Sequence, residues 1–337
     1  MSYSKIQELG DLELAVLVCL VAQQHCIFST DSQSNQNLQQ ELLLICSSTF
    51  GLQPAVIDCS PATTVDEFSE GVLVEALHND LDEAERGYFH SRPTLSVDFT
   101  PTRGRSPGRP SSNTLDERRI ADVIIAVNLD QAPDTVQVQA LELIRTRRIF
   151  TRTAMHSASK DFMVLAISSA PDARLNHHLN DLFCMSHFHA EEDGLSYQDG
   201  QLSKEIMPSL SRDEISELRD LAEEARHTPE LAAYMHNVCV FMKTSRYIQS
   251  GVTATATRQL RVLAKALAPL HGLDYVPPSL VALAVRKIYP HRVKLVTPET
   301  ERSLQWGSDP IAIRAMLEGF TVENAIEDVL AAVETPL

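Results

Sequence analysis

A chain of 337 residues with 44% hydrophobic and 22% charged content is long enough to bury a sizeable core and to divide into more than one part. Its formal net charge of -16, with no broad basic patch to offset it, works against general binding to nucleic acid or to an anionic membrane. The six cysteines lie mostly in apolar runs without a CxxC pair, which predicts reduced core thiols and a cytosolic or nuclear protein.

From Ile6 to Gln24, Leu9, Leu12, Leu14, Ala15, Leu17, Val18 and Val21 recur at helical spacing, with Asp11 and Glu13 early, where acids suit the helix dipole. The apolar run from Leu12 to Ala22 contains Glu13 and is too short to span a bilayer. Cys26, Ile27 and Phe28 then form a short strand, followed by a polar loop and a helix with Leu38, Leu42, Leu43, Ile45 and Cys46 on its apolar side and Gly51 as its cap. Ala55 to Cys59 is a second strand, and the strand–helix–strand rhythm predicts a parallel sheet with crossover helices.

Asp66 to Leu81 reads as a helix with the acidic run after Asp80 as its solvated end. Thr100 to Asn113, rich in Pro, Gly, Ser and Arg, has nothing to bury and reads as a flexible insertion. Within it, Thr100-Pro101 and Ser106-Pro107 are candidate phosphorylation sites of a regulated tether. Asp122 to Val127 and Phe162 to Ile167 are apolar runs suited to central parallel strands, separated by an Ala132-Pro133 turn and a helix from about Asp134 to Arg147. A helix or turn leads to another short strand by Phe188, and Arg212 to Arg226 reads as an exposed helix. Three helices follow. One opens at Pro229, one carries Leu260, Leu263, Ala264, Leu267 and Leu270 after the break at Gly251, and one opens at Pro278 and stops before Pro290. The expected division is an α/β core over 1–195 with an insertion at about 83–118, a helical lid over 196–296, and an amphipathic tail over 297–337.

The stretch His25 to Gly51 has the layout of a phosphate-binding loop, which needs glycines to turn backbone N–H groups toward phosphate, a lysine for its charge and a hydroxyl for the metal. Thr30 to Asn37 offers neither glycine nor lysine. Downstream, GVTATATRQLRVLAKALA from Gly251, then GLDYV from Gly272, Pro278 and His291-Arg292 resemble the lid signature of the AAA+ ATPases of the MoxR and magnesium-chelatase I-subunit group, including its fungal magnesium-chelatase-like members. That resemblance spans roughly residues 5 to 295 and implies a P-loop NTPase-like sheet with a small helical lid.

Carried over position by position, the resemblance also implies a degenerate nucleotide site. The loop glycines fall on Thr30, Gln33 and Asn35, the lysine on Gln36 and the metal-binding threonine on Asn37. The two acids of the strand motif fall on Val127 and Asn128, the sensing asparagine near Ser169, the arginine finger on Leu182 and the lid arginine on Thr255. Asp31, Asp130 and Arg258 are the candidate replacements, with Asp130 read either as a recruited ligand or as a turn former. The expectation is a pseudo-ATPase with no cofactor, a structural or regulatory subunit that associates with itself or with an active AAA+ relative, without nucleic-acid or membrane binding. The alternative is an active ATP/Mg-dependent chelatase-type motor or chaperone that uses those replacements.

Two other features stand apart. His177, His178, Cys184, His187 and His189 are the one cluster of metal-ligand types, but Cys184 sits in an apolar run and no second spaced pair exists, so no metal is expected there. Trp306 reads either as a partner anchor or as the residue that packs the tail onto the lid.

Overall fold

The computed structural model describes residues 3–30, 35–75, 118–152, 154–170, 173–190 and 210–336. Five strands make the central sheet: β1 (Cys26–Ser29), β2 (Pro54–Asp58), β3 (Val123–Val127), β4 (Met163–Ile167) and β5 (Met185–Phe188). Their order is β2-β3-β4-β1-β5 and every neighbouring pair is parallel. Every residue of β3 and β4 is buried, which is why both read as unbroken apolar runs rather than as alternating ones. Because β1 sits between β4 and β5, its carboxyl end opens onto the kind of crevice where open α/β sheets bind ligands.

Helices cover both faces. Helix α1 (Asp11–Ala22), helix α2 (Asn35–Leu44, continued by a π-turn at Ile45–Thr49) and the lid share a core with Phe28, Ile125 and Leu165. On the other face Ile27, Ile124, Ala126, Val164 and Ala166 pack beneath α3 (Val65–Gly71), α4 (Asp134–Thr146) and α5 (His177–Asn180), through Phe68, Val136, Leu143 and Leu179. The helical remainder runs α6 (Arg212–Glu224), α7 (Pro229–Thr244), α8 (Ala254–Leu270), α9 (Pro278–Ile288), α10 (Pro310–Leu317) and α11 (Val322–Ala332).

Three elements depart from expectation. The helix foreseen over 66–81 ends at Gly71, and Leu73–Glu75 instead pairs antiparallel with Arg118–Ile120. Alternating β-branched and apolar residues after Val72 favour that pairing over another helical turn. Residues 76–117, with the acidic run and the candidate tether, lie outside the described residues. Arg147, with a φ of 54°, reverses the chain after α4 into an unforeseen hairpin of Arg148–Phe150 and Met155–Ser157.

Helix α6 is not merely an exposed element. Ile215, Leu218 and Ala222 are buried against the core. Its Arg212 reaches the buried Asp122 carboxylate at 2.9 Å, which also accepts from Arg119 at 2.9 Å and Ser159 at 2.8 Å. Burial alone would raise the Asp122 pKa, but Arg119, Ser159 and Arg212 together outweigh it and hold the carboxyl below its usual range.

Candidate functional site

At the carboxyl end of the sheet the chain leaves β1 through Thr30 and resumes at Asn35, the first residue of α2; Asp31, Ser32, Gln33 and Ser34 lie outside the described residues. The expectation for the loop over 31–34 therefore concerns residues not described. Asn35 Nδ2 donates to the Ser168 carbonyl at 3.3 Å and lies 3.5 Å from Asn128 Oδ1. Asn128 Nδ2 in turn donates to Asp58 Oδ1 at 3.2 Å, and its backbone sits at a φ of 52°, a left-handed conformation that asparagine tolerates. A line of amides thus joins the start of α2 to the ends of β4, β3 and β2. Val127 is buried in its strand, while Gln36 and Asn37 are exposed on the first turn of α2.

Asp130 is fully engaged in the adjoining turn. Its Oδ1 accepts from the Ser169 backbone N–H at 3.0 Å, and its Oδ2 accepts from the Ser169 hydroxyl. Two positions singled out separately from the sequence therefore partner each other, which supports Asp130 as a turn former. A cleft of about 790 Å³ opens beside them, bounded by Ser29, Ser168 and Asp130 on the sheet and by Lys287, His291 and Phe320 on the helical side.

The remaining positions lie at the opposite end. Thr253, the N-cap of α8, donates to Asp181 Oδ1 at 2.5 Å, and Gln259 donates to the Leu182 carbonyl at 3.2 Å and to Gln24 Oε1 at 3.3 Å. Gln24, Asp181 and Leu182 precede β1 and β5, so Leu182 and Thr255 sit at the amino ends of the strands. The fold does not bring them to Thr30 and Asn35. Arg258 is exposed, on a stripe of α8 with Arg261 and Val262.

Between core and lid lies a buried clamp. Arg292 donates to the carbonyls of Asp181 at 3.1 Å, Phe183 at 2.5 Å, Cys184 at 3.0 Å and Ile288 at 2.8 Å, and to the Gln259 side chain. His291 Nε2 donates to the Phe183 carbonyl at 3.0 Å. Burial, and then the adjacent Arg292, hold His291 well below the usual imidazole range, so it stays neutral. Gly251 makes the approach possible: a Cβ there would fall 2.3 Å from the Arg292 carbonyl oxygen, and its φ is 115°.

The histidines do not form one cluster. His177 and His178 stack edge-on on α5 with ring centroids 5.5 Å apart, while His187 is held between Lys287 Nζ at 2.9 Å and Asp11 Oδ2 at 3.1 Å. Among the described residues no group of three or more His, Cys, Asp or Glu is placed to hold a metal. His25 instead serves the sheet: Nδ1 accepts from the Val164 N–H at 3.0 Å, and burial, then Arg147, push its pKa down to about 4. All six cysteines are free and buried, and burial pushes the thiols of Cys46, Cys59 and Cys184 up to about 12. No described helix is long and apolar enough to cross a membrane.

No family model and no curated protein matches the chain. Among solved structures it is similar to a "putative ATPase" from Cytophaga hutchinsonii, at 15% identity and a TM-score of 0.65, over 99% of this chain and 93% of that one. It also aligns with a full-length MCM homologue from Methanopyrus kandleri at 13% identity and a TM-score of 0.44, over 81% of this chain and 52% of that chain. The first likeness shows the fold alone. The shared fold is mixed α/β: a parallel five-stranded sheet between helices, followed by a helical region.

Proposed function

We propose that this chain is a non-catalytic AAA+ subunit, similar to the MoxR and magnesium-chelatase I-subunit group, which keeps the shape of the module for assembly with itself or with an active relative. The observation that carries this reading is Asn35. Where a phosphate loop requires its last glycine, a side chain extends to Ser168 and toward Asn128. A phosphate cradle needs that space open so that backbone N–H groups can approach the ligand.

The donor set fits Mg-ATP no better. Gln36 carries no charge, Val127 has no ligand atom, and Asn128 cannot act as a base toward water. Both oxygens of Asp130 are taken by Ser169. At the other end of the sheet, Leu182 and Thr255 give a neighbour no cation to stabilise a transferring phosphoryl group. Loss of such an arginine alone costs on the order of 1,000-fold or more in rate.

The function left to such a chain is packing. Native mass spectrometry of the full chain with and without Mg-ATP tests it: the same assembly is expected in both conditions. An oligomer that forms only with nucleotide would contradict the proposal.

A further inference from the structure

We propose that the hairpin of Arg148–Phe150 and Met155–Ser157 docks on helix α6 of a second copy of this chain, joining the copies head to tail. The inference rests on the reading of the chain as an assembling subunit and names the surfaces that would do it.

Period-two alternation gives the hairpin one face for the core and one for solvent. Ile149 and His156, directly opposed, are buried, while Arg148 faces Ser157 and Phe150 faces Met155 on the outer side. Phe150 is 62% exposed and Met155 49%. Beside them Val138, 53% exposed, shares the outer stripe of α4 with Arg145, about two turns further on. An aromatic ring, a methionine and arginines are the residue types enriched at protein interfaces.

The charge here runs against that of the molecule. The net charge is -16, yet the stretch from Arg145 to Lys160 carries Arg145, Arg147, Arg148, Arg152 and Lys160 and no acid. Arg152 is paired with Asp66, and Arg147 donates to the Lys160 carbonyl at 3.5 Å. Among the described residues Arg145 and Arg148 have no ion-pair partner, and both are exposed.

The complement lies on α6. Asp213, Glu217, Asp220 and Glu224, three or four residues apart, form one exposed acidic stripe, with Leu221 40% exposed beside it. The ion pairs of α6 run instead through Arg212, Glu214 and Arg219. A basic rim around Phe150 and Met155 thus meets an acidic rim around Leu221, the pattern that steers partners together and fixes their register. Ile149 belongs to the core on one face of the sheet, and Ile215, Leu218 and Ala222 to the core on the other. The two patches therefore look away from opposite faces, and pairing them takes two chains. Such a contact between unlike patches is heterologous, and its repetition closes a ring or extends a filament. Thr30 and Asn35 lie at the carboxyl end of the sheet, whereas the hairpin leads into the amino end of β4, so this contact needs no nucleotide.

Sedimentation velocity of the full chain at low and high salt tests the proposal. Self-association is expected at low salt and should weaken as salt screens the charges. Arg145→Glu with Arg148→Glu makes both patches acidic, and Glu217→Arg with Asp220→Arg makes both basic. Each double variant alone should associate about tenfold or more weakly than wild type, because like charges then face each other. Mixed in equal amounts, the two variants should recover association, each offering the other its complement, a result that misfolded chains would not give. A wild-type oligomer indifferent to both double variants, or variants that stay apart when mixed, overturns this contact and leaves self-assembly standing. A wild-type chain that stays monomeric at low salt overturns self-assembly as well, and the wider reading is then left only with an active relative as partner.

Discussion

Asn35 Nδ2 and the carbonyl oxygen of Ser168 lie 3.3 Å apart, so the first residue of α2 is fastened to the end of β4 by its own side chain. Asn35→Gly restores the glycine of a phosphate loop but removes that bond and the contact with Asn128. Urea unfolding should show a loss of about 1 kcal/mol, the usual worth of one such bond. Mg-ATP affinity should not rise, because Gln36 still supplies no charge. A gain in stability, or nucleotide binding by this variant, would speak against a closed loop end.

His25 ties the start of β1 to β4 only while neutral. Its folded pKa is about 4, against 6.5 for the free side chain. Between those values the unfolded chain binds the extra proton and the folded one does not. The stabilisation from this group is therefore complete above about pH 6.5 and falls as pH drops toward 4, by up to roughly 3 kcal/mol. Chemical denaturation across that window should show the decline, and His25→Leu should lessen it, the share of the buried His291 remaining, while costing about 1–3 kcal/mol for the orphaned Val164 N–H.

The clamp joining lid to core should be the least tolerant place in the molecule. Arg292→Met leaves the carbonyls of Asp181, Cys184 and Ile288 without this donor, Phe183 keeping that of His291, and should cost about 3–5 kcal/mol. Gly251→Ala sets a Cβ against the Arg292 carbonyl and should cost at least about 2 kcal/mol. Thermal unfolding checks both, and a midpoint near wild type for either would show that the clamp is dispensable.

Trp306, the sole tryptophan, is 88% exposed, and Ile311 nearby is 75% exposed. The tail instead packs through Ile326 and Val329 and through the ion pair of Arg286 with Glu327, which leaves the indole in solvent. Its fluorescence should be red-shifted and readily quenched by acrylamide in the isolated chain. If the tail takes part in assembly, emission should move to the blue as oligomer forms. Emission that is blue in the monomer would place Trp306 in a packed environment.

Much of the fold was legible because the buried parallel strands announce themselves. The runs Val123–Val127 and Met163–Ile167 are apolar at every position, and the lid helices carry clear start and stop residues at Pro229, Gly251 and Pro278. Local pattern failed where a pairing partner was distant in sequence, as for Leu73–Glu75 against Arg118–Ile120. Linear spacing likewise gave no sign that Asp130 and Ser169 satisfy each other, or that Leu182 and Thr255 sit at the far end of the sheet from Thr30.

The central proposal is that the carboxyl end of this sheet, at Thr30 and Asn35, does not hold nucleotide. Isothermal titration of the full chain with Mg-ATP measures it directly. No heat of binding at micromolar to low millimolar ATP, and no phosphate release, is the predicted result. Micromolar affinity with measurable turnover would contradict it.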